Sequence, residues 1–334
     1  MTDIGIVVGG PVPSIAEMAR QAEDGGFESV WVAETASSAY VQAALAAQAT
    51  SRVRIGTNIA LAFPRSPTIT AMTARDLAEL SGGRFILGLG SQVKRVNEQR
   101  FGVRFEHPAP KMAEYVEVVR AVLATFRSEQ VDHRGRFFTV TMNPFPGAAA
   151  VDDVPVYIAA VNDRMLEAAG RVADGVLGHP LTSPDYIRDV VRPALARGAT
   201  AAGRDPSEVS LTNSVVLQLN EDRERARFEA ALQVAFYATT RTYRPVLDLH
   251  GFGDLTAPLR AAYAGGDLGE MARIAMPMVD TYAIAGTADE CRDRLAAFEG
   301  LVDRILLGGA WVGPDQAALA ENHRRILETF RPAA

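Results

Sequence analysis

The run from Arg52 to Gly102, RVRIGTNIALAFPRSPTITAMTARDLAELSGGRFILGLGSQVKRVNEQRFG, constrains the fold more than any other part of the chain. Val53 to Leu61 is an apolar run of strand length, and Thr68 to Leu80 carries its apolar residues at helical spacing. Ser81-Gly82-Gly83 stops that helix, and Arg84 to Gly90 is a second apolar run. Two short strands, apolar on both faces and joined by a helix, make a βαβ unit, which belongs in a parallel sheet covered by helices. Functional loops in such sheets follow the C-terminal strand ends. Here those ends are Asn58 to Phe63 and Gly88 to Gln92.

The same alternation extends over the rest of the chain. Residues 3–8, 28–33, 154–160, 175–178, 209–219 and 303–307 read as further strands. Helices are predicted at residues 14–24, 38–50, 109–126, 162–172, 184–202 and 315–330, the first with Ser14 and Glu17 at the spacing of a capping box. Eight strands alternating with helices predict an α/β fold, a (β/α)8 TIM barrel forming one domain over residues 1–334. Two connections are longer than a crossover needs. The polar stretch 134–155 suits a small hairpin. Residues 220–300 read as a helical insertion over the barrel mouth, with helices at 221–239, 242–250, 255–263, 268–275 and 287–299.

Composition narrows the function classes. Hydrophobic residues at 48% with 22% charged supply a large core. A net charge of -6, with no block of one sign, argues against nucleic acid or an anionic membrane as partner. The start MTDIGIVVGGPVPS lacks the basic residues and apolar core of a secretion signal, and no apolar run approaches the roughly 20 residues that span a bilayer, so a cytoplasmic protein is expected. The single cysteine, Cys291, has no partner within the chain and falls in a helix as a core residue. Five histidines without zinc-site spacing imply no metal site.

EDGGFESVWVAETA, AFPRSPTITAMTARDLAELSGGRFILGLGSQ, the spacing of Glu98 and Phe101-Gly102, HPAPKM and RVADGVLGHP together resemble the bacterial luciferase-like superfamily, over nearly the whole chain. The combination is most similar to the branch that uses the deazaflavin coenzyme F420, although relatives on the same barrel use FMN. The resemblance implies an oxidoreductase, a hydride-transferring reductase or dehydrogenase acting on a small, apolar organic substrate. An FMN-dependent monooxygenase is the alternative, and a cofactor-binding protein without turnover is a third reading. A homodimer is the expected assembly.

The resemblance also assigns residues. The Asn58-Ile59 bond is expected to be a non-prolyl cis peptide in a bulge that presses on the cofactor's central ring, where base rates alone give an ordinary strand end. Glu34 stands where the family places an acid near the ring edge and is a candidate proton relay; the plainer reading is a capping or salt-bridging acid. Thr35 replaces the histidine of several deazaflavin-dependent dehydrogenases, and Val93 replaces their acid. A general acid therefore comes from Glu34, Glu98 or His107, or none is needed. Ser91 and Gln92 follow glycines that allow close approach to a planar ring. Ala160, Val161 and Asn162, together with His179, Thr182 and Ser183, match the two segments that wrap the cofactor's side chain and phosphate. The structural readings of these segments are Asn162 or Asp163 as an N-cap and Ser183 as the cap before Pro184. His179 joins Glu34 and His107 as a candidate catalytic residue. Phe63, Phe105, Phe137, Phe138, Phe145 and Trp311 suit an apolar substrate pocket or plain packing, and His250 and His323 show no partner pattern.

Overall fold

The computed structural model describes residues 2–127, 129–145 and 153–331. Residues 146–152 of the polar connection and the C-terminal Ala333-Ala334 lie outside the described residues. Eight parallel strands close on themselves: β1 Asp3–Val8, β2 Ser29–Val32, β3 Arg54–Thr57, β4 Phe85–Gly90, β5 Val156–Ala159, β6 Gly175–Gly178, β7 Ser210–Leu219 and β8 Arg304–Gly308. Each pairs with the next, and β8 pairs back to β1, which makes the expected (β/α)8 barrel.

The strands are rich in apolar residues because both faces are covered. All six residues of β4, FILGLG, are buried. Inside the barrel Trp31, Ile86, Leu177 and Leu306 come from β2, β4, β6 and β8, and they pack with Tyr157 of β5. This is the layering by alternate strands that fills such barrels. Trp31 fits because its neighbour on β3 is Gly56, where any Cβ would overlap the indole. At the opposite end from the mouth, Arg304 is 5% exposed and its guanidinium bonds both Glu28 carboxylate oxygens at 2.7 and 2.8 Å.

Helix Pro67–Ser81 shows how local chemistry sets the boundaries. Ser66 accepts the Thr68 N–H, Pro67 occupies the first turn, and Gly82 closes the helix at φ 62°. The capping box expected at Ser14 is not formed. A single 3-10 turn, Val12–Ser14, runs straight into helix Ile15–Asp24, so Ser14 already has helical angles and its hydroxyl bonds the Pro11 carbonyl at 2.7 Å.

The hairpin in the polar connection is present, with Val131–Arg134 antiparallel to Thr139–Met142. The segment between β7 and β8 is largely helical, but it also carries a strand, Ala283–Gly286, that pairs with Val216–Leu219 of β7. A short helix, Lys94–Arg100, follows β4 where a loop was expected. Among the described residues no helix is long and apolar enough to cross a membrane.

Candidate functional site

The predicted third strand, 53–61, is interrupted. Gly56 pairs with Ile86 and Ala60 with Leu89, so four steps along one chain oppose three along the other, which is a β-bulge. The Asn58-Ile59 peptide within it is cis, as the resemblance implied. Thr57 completes the interrupted ladder with its side chain. Its Oγ1 donates to the Gly88 carbonyl at 2.7 Å and accepts the Gly88 N–H at 2.9 Å. A Cβ on Gly88 would overlap the Thr57 carbonyl oxygen, so the bulge requires glycine there. The Asn58 N–H bonds the Val32 carbonyl at 2.8 Å, and Asn58 Nδ2 donates to Ser214 Oγ at 2.9 Å. The Ile59 side chain lies over Gly90.

A cavity of ≈ 1690 Å³ opens at this end of the barrel. Ile59, Gly90 and Ala159 form part of its inner wall, and Asn58, Ser91 and Gln92 border it on one side. Ala160, Val161, Asn162, His107 and His179 border it elsewhere. Gln92 has φ 56°, with its Oε1 accepting the Val93 N–H at 2.9 Å. The Ser91 carbonyl accepts Asn97 Nδ2 at 2.8 Å, so the new helix Lys94–Arg100 is tied to the rim. Asn162 precedes helix Asp163–Val172 but makes no side-chain cap; its Nδ2 donates to the Thr242 carbonyl at 3.0 Å and so joins the rim to the insertion. His107, at φ 45°, is exposed and precedes Pro108 at the start of helix Pro108–Thr125.

His179 is the most confined of these groups. Its ring centroid lies 4.1 Å from that of Tyr243 and 4.6 Å from that of Tyr237. The Leu181 N–H donates to Nδ1 at 3.1 Å. A ring nitrogen that accepts carries no proton, so the neutral imidazole holds its proton on Nε2. Desolvation lowers its pKa to about 3, and the ring is a neutral donor near pH 7.

Three expected site residues are placed differently. Glu34 does not border the cavity. Its carboxylate takes two bonds from Arg65, at 2.5 and 2.7 Å, and the Leu61 N–H at 2.8 Å, with its side chain 10% exposed. The salt-bridging reading is the one the structure shows, and Glu34 braces the exit of the bulge. Thr182 and Ser183 are each 2% exposed and turned into the protein. Ser183 Oγ accepts the Tyr186 N–H at 3.1 Å and pairs with His250 Nε2 at 2.8 Å. Ser183 and the Thr182 N–H, which the His179 carbonyl accepts at 2.8 Å, fix the loop that carries His179, while the Thr182 hydroxyl is buried without a partner among the described residues and does not border the cavity.

The remaining candidates divide in the same way. Glu98 lies away from the cavity, 3.9 Å from Lys94, and Asp163 faces Arg197 at 3.6 Å. Of the aromatic residues, Phe105 and Trp311 border the cavity. Phe63 packs on Phe105, Phe137 on His107, Phe138 on Tyr115 and Phe145 on Phe126. Tyr237 and Tyr243 of the insertion were missed by sequence reasoning; the signal was their apolar spacing beside Phe236, which reads equally as helix packing.

This geometry, a bulged third strand under an open cavity at the C-terminal end of a closed barrel, accompanies a match to the luciferase-like monooxygenase family over residues 3–304. The chain belongs to that family. Luciferase-like proteins are oxidoreductases, and individual relatives extend the likeness over most of the chain. An uncharacterized protein of Mycobacterium tuberculosis is 40% identical over 300 residues, 87% of this chain and 88% of its own. The 5,10-methylenetetrahydromethanopterin reductase of Methanolobus tindarius is 32% identical over 321 residues, 94% of this chain and 95% of its own. Among solved structures, the coenzyme F420-dependent tetrahydromethanopterin reductase of Methanopyrus kandleri aligns with a TM-score of 0.80 at 24% identity, covering 99% of this chain and 98% of its own. That likeness shows a shared fold.

Proposed function

We propose that this luciferase-like protein is a cytoplasmic F420-dependent oxidoreductase that moves a hydride between the deazaflavin and a small, apolar organic substrate. The observation that carries the reading is the cavity. At ≈ 1690 Å³ it exceeds the roughly 300–1,000 Å³ of an ordinary small-molecule site, which leaves room for a long cofactor and a substrate together. Ile59, Gly90 and Ala159, which form part of its inner wall, offer an apolar face to a ring. Similarity over most of the chain to a methylenetetrahydromethanopterin reductase, together with the shared fold of a tetrahydromethanopterin reductase that is coenzyme F420-dependent, favours the deazaflavin over FMN.

The residues present fit such a group. Asn58 and Ile59 would support its ring, Ser91 and Gln92 its edge, and Ala160, Val161 and Asn162 its side chain, beside N–H groups at a helix start that favour an anion. Bound F420 supplies hydride chemistry, two electrons at a time. His179 offers its Nε2 proton to an oxygen of substrate or ring, held in one tautomer by the Leu181 N–H. Phe105 and Trp311 keep the substrate end apolar and limit water.

An FMN-dependent monooxygenase is the second reading, favoured by the family at large and by Val93 standing where the dehydrogenases carry an acid. Titration of the purified protein with F420 and with FMN, followed by fluorescence quenching, separates the two. Tight F420 binding and oxidation of added reduced F420 by a substrate panel are expected. Preferential FMN binding with oxygen consumption would establish the monooxygenase, and F420 binding without turnover across the panel would leave a carrier protein.

A further inference from the structure

We infer that the groove between helices Pro108–Thr125 and Asp163–Val172 holds an extended, multiply charged anionic tail of the cofactor, gripped by Arg164 and Arg171. This rests on the deazaflavin reading and assigns a part of the same site. Beyond Val161 and Asn162 the cavity continues along helix Asp163–Val172, where Arg164, Glu167, Ala168 and Arg171 border it. Steps of three, four and seven residues put all of them on one helix face. Pro110 and Ala113 stand opposite, on helix Pro108–Thr125. Ala109, Ala113 and Ala168 pack together, so the two helices meet through methyl groups and leave a channel above them.

The charges along this channel are one-sided. Four basic residues border the cavity: Lys94, Arg164, Arg171 and Arg324. Lys94 has Glu98 at 3.9 Å, and Arg324 has Glu321 and Glu328 at 2.8 and 2.5 Å. Arg164 and Arg171 have no carboxylate partner among the described residues. Glu167, the acid between them, is already held by Arg197 at 2.9 Å. Seven residues of helix span about 10 Å, which sets the separation of the two guanidinium groups along the groove. Each is suited to a carboxylate or phosphate oxygen pair. FMN ends in one phosphate near the ring and does not span that distance. A deazaflavin whose side chain continues through a phosphodiester into an oligoglutamate does.

Fluorescence-quenching titrations at low and high salt test this with the tail-less deazaflavin riboside and with F420 carrying short or long oligoglutamate tails. Long-tailed F420 is expected to bind about tenfold tighter than the riboside at low salt, with the advantage fading as salt screens it. In the Arg164→Gln/Arg171→Gln double variant the advantage is lost, and retained riboside binding reports that the barrel is folded. Equal affinities for riboside and long-tailed F420 in the wild type, or an advantage that survives in the double variant, would overturn the groove while leaving the cofactor reading intact. FMN binding with no deazaflavin binding would overturn both.

Discussion

At Thr57 a single hydroxyl carries both hydrogen bonds that the bulge takes from Gly88. Valine has the same outline without the hydroxyl, so Thr57→Val leaves a buried N–H and a buried carbonyl unpaired, at about 1–3 kcal/mol for each. Urea unfolding is expected to show a clearly lower midpoint with an unchanged slope, and Thr57→Ser to recover most of the loss. Equal midpoints for wild type and Thr57→Val would remove this role. His179→Phe keeps a ring between Tyr237 and Tyr243 but removes the Nε2 proton. It is expected to lower kcat/KM about 100-fold while changing F420 affinity little, read from steady-state kinetics beside a binding titration. The same histidine shapes the pH dependence of stability. Desolvation lowers His179 to about 3 and His323 to about 4, from 6.5. Between about pH 4 and 6.5 the unfolded chain therefore binds protons that the folded chain does not, and stability rises with pH across that window and levels off above it. The slope is at most about 1.4 kcal/mol per pH unit for each group, and a flat profile there would contradict the desolvation of both rings.

The hairpin Val131–Arg134/Thr139–Met142 is too small to stand alone; Phe138, Val140 and Met142 pack it on the core, and one carboxylate beneath it holds its turn. Glu114 accepts N–H bonds from Arg136, Phe137 and Phe138 at 2.7–3.1 Å and faces His133 at 3.3 Å. Burial pushes its pKa up, but the Phe137 and Phe138 N–H groups and His133 outweigh this and hold it below 4.5. Its stabilisation is thus complete above pH 4.5 and is lost as pH falls through the lower folded value. Glu114→Gln is expected to raise hydrogen exchange across the hairpin about tenfold or more while the barrel strands stay protected. Elements like these mark what was legible in the sequence. Apolar runs such as Phe85–Gly90 and capped helices such as Pro67–Ser81 declare themselves locally. Lys94–Arg100, KRVNEQR, has no apolar stripe and depends on Asn97 bonding the Ser91 and Val93 carbonyls. The strand Ala283–Gly286 exists because β7, at ten residues, extends past its barrel partners and offers an edge. In the site, the bulge was readable through the family resemblance. The partners of Glu34 and Ser183 were not, because Arg65 and His250 lie 31 and 67 residues away and no local spacing encodes them.

Two neighbouring helices expose apolar side chains that the described fold does not cover. Helix Ala39–Ala49, AYVQAALAAQA, has no charged residue, and on its outer side Val41 is 52% exposed. Helix Pro67–Ser81 beside it exposes Ile69 at 54% and Met72 at 39%. A helix without a polar face is ordinarily buried, and an apolar strip shared by two adjacent helices is the kind of patch that closes against another copy of itself. None of Val41, Ile69 and Met72 borders the cavity, so a twofold contact through them leaves both sites open. We therefore propose a homodimer built on these two helices. Val41→Glu with Ile69→Glu sets like charges against each other across such a contact and is expected to give monomers in sedimentation velocity at micromolar concentration, with the far-ultraviolet circular dichroism of the wild type. A wild type that already sediments as a monomer would rule the contact out, and a double variant that remains dimeric would move the interface to another face of the barrel.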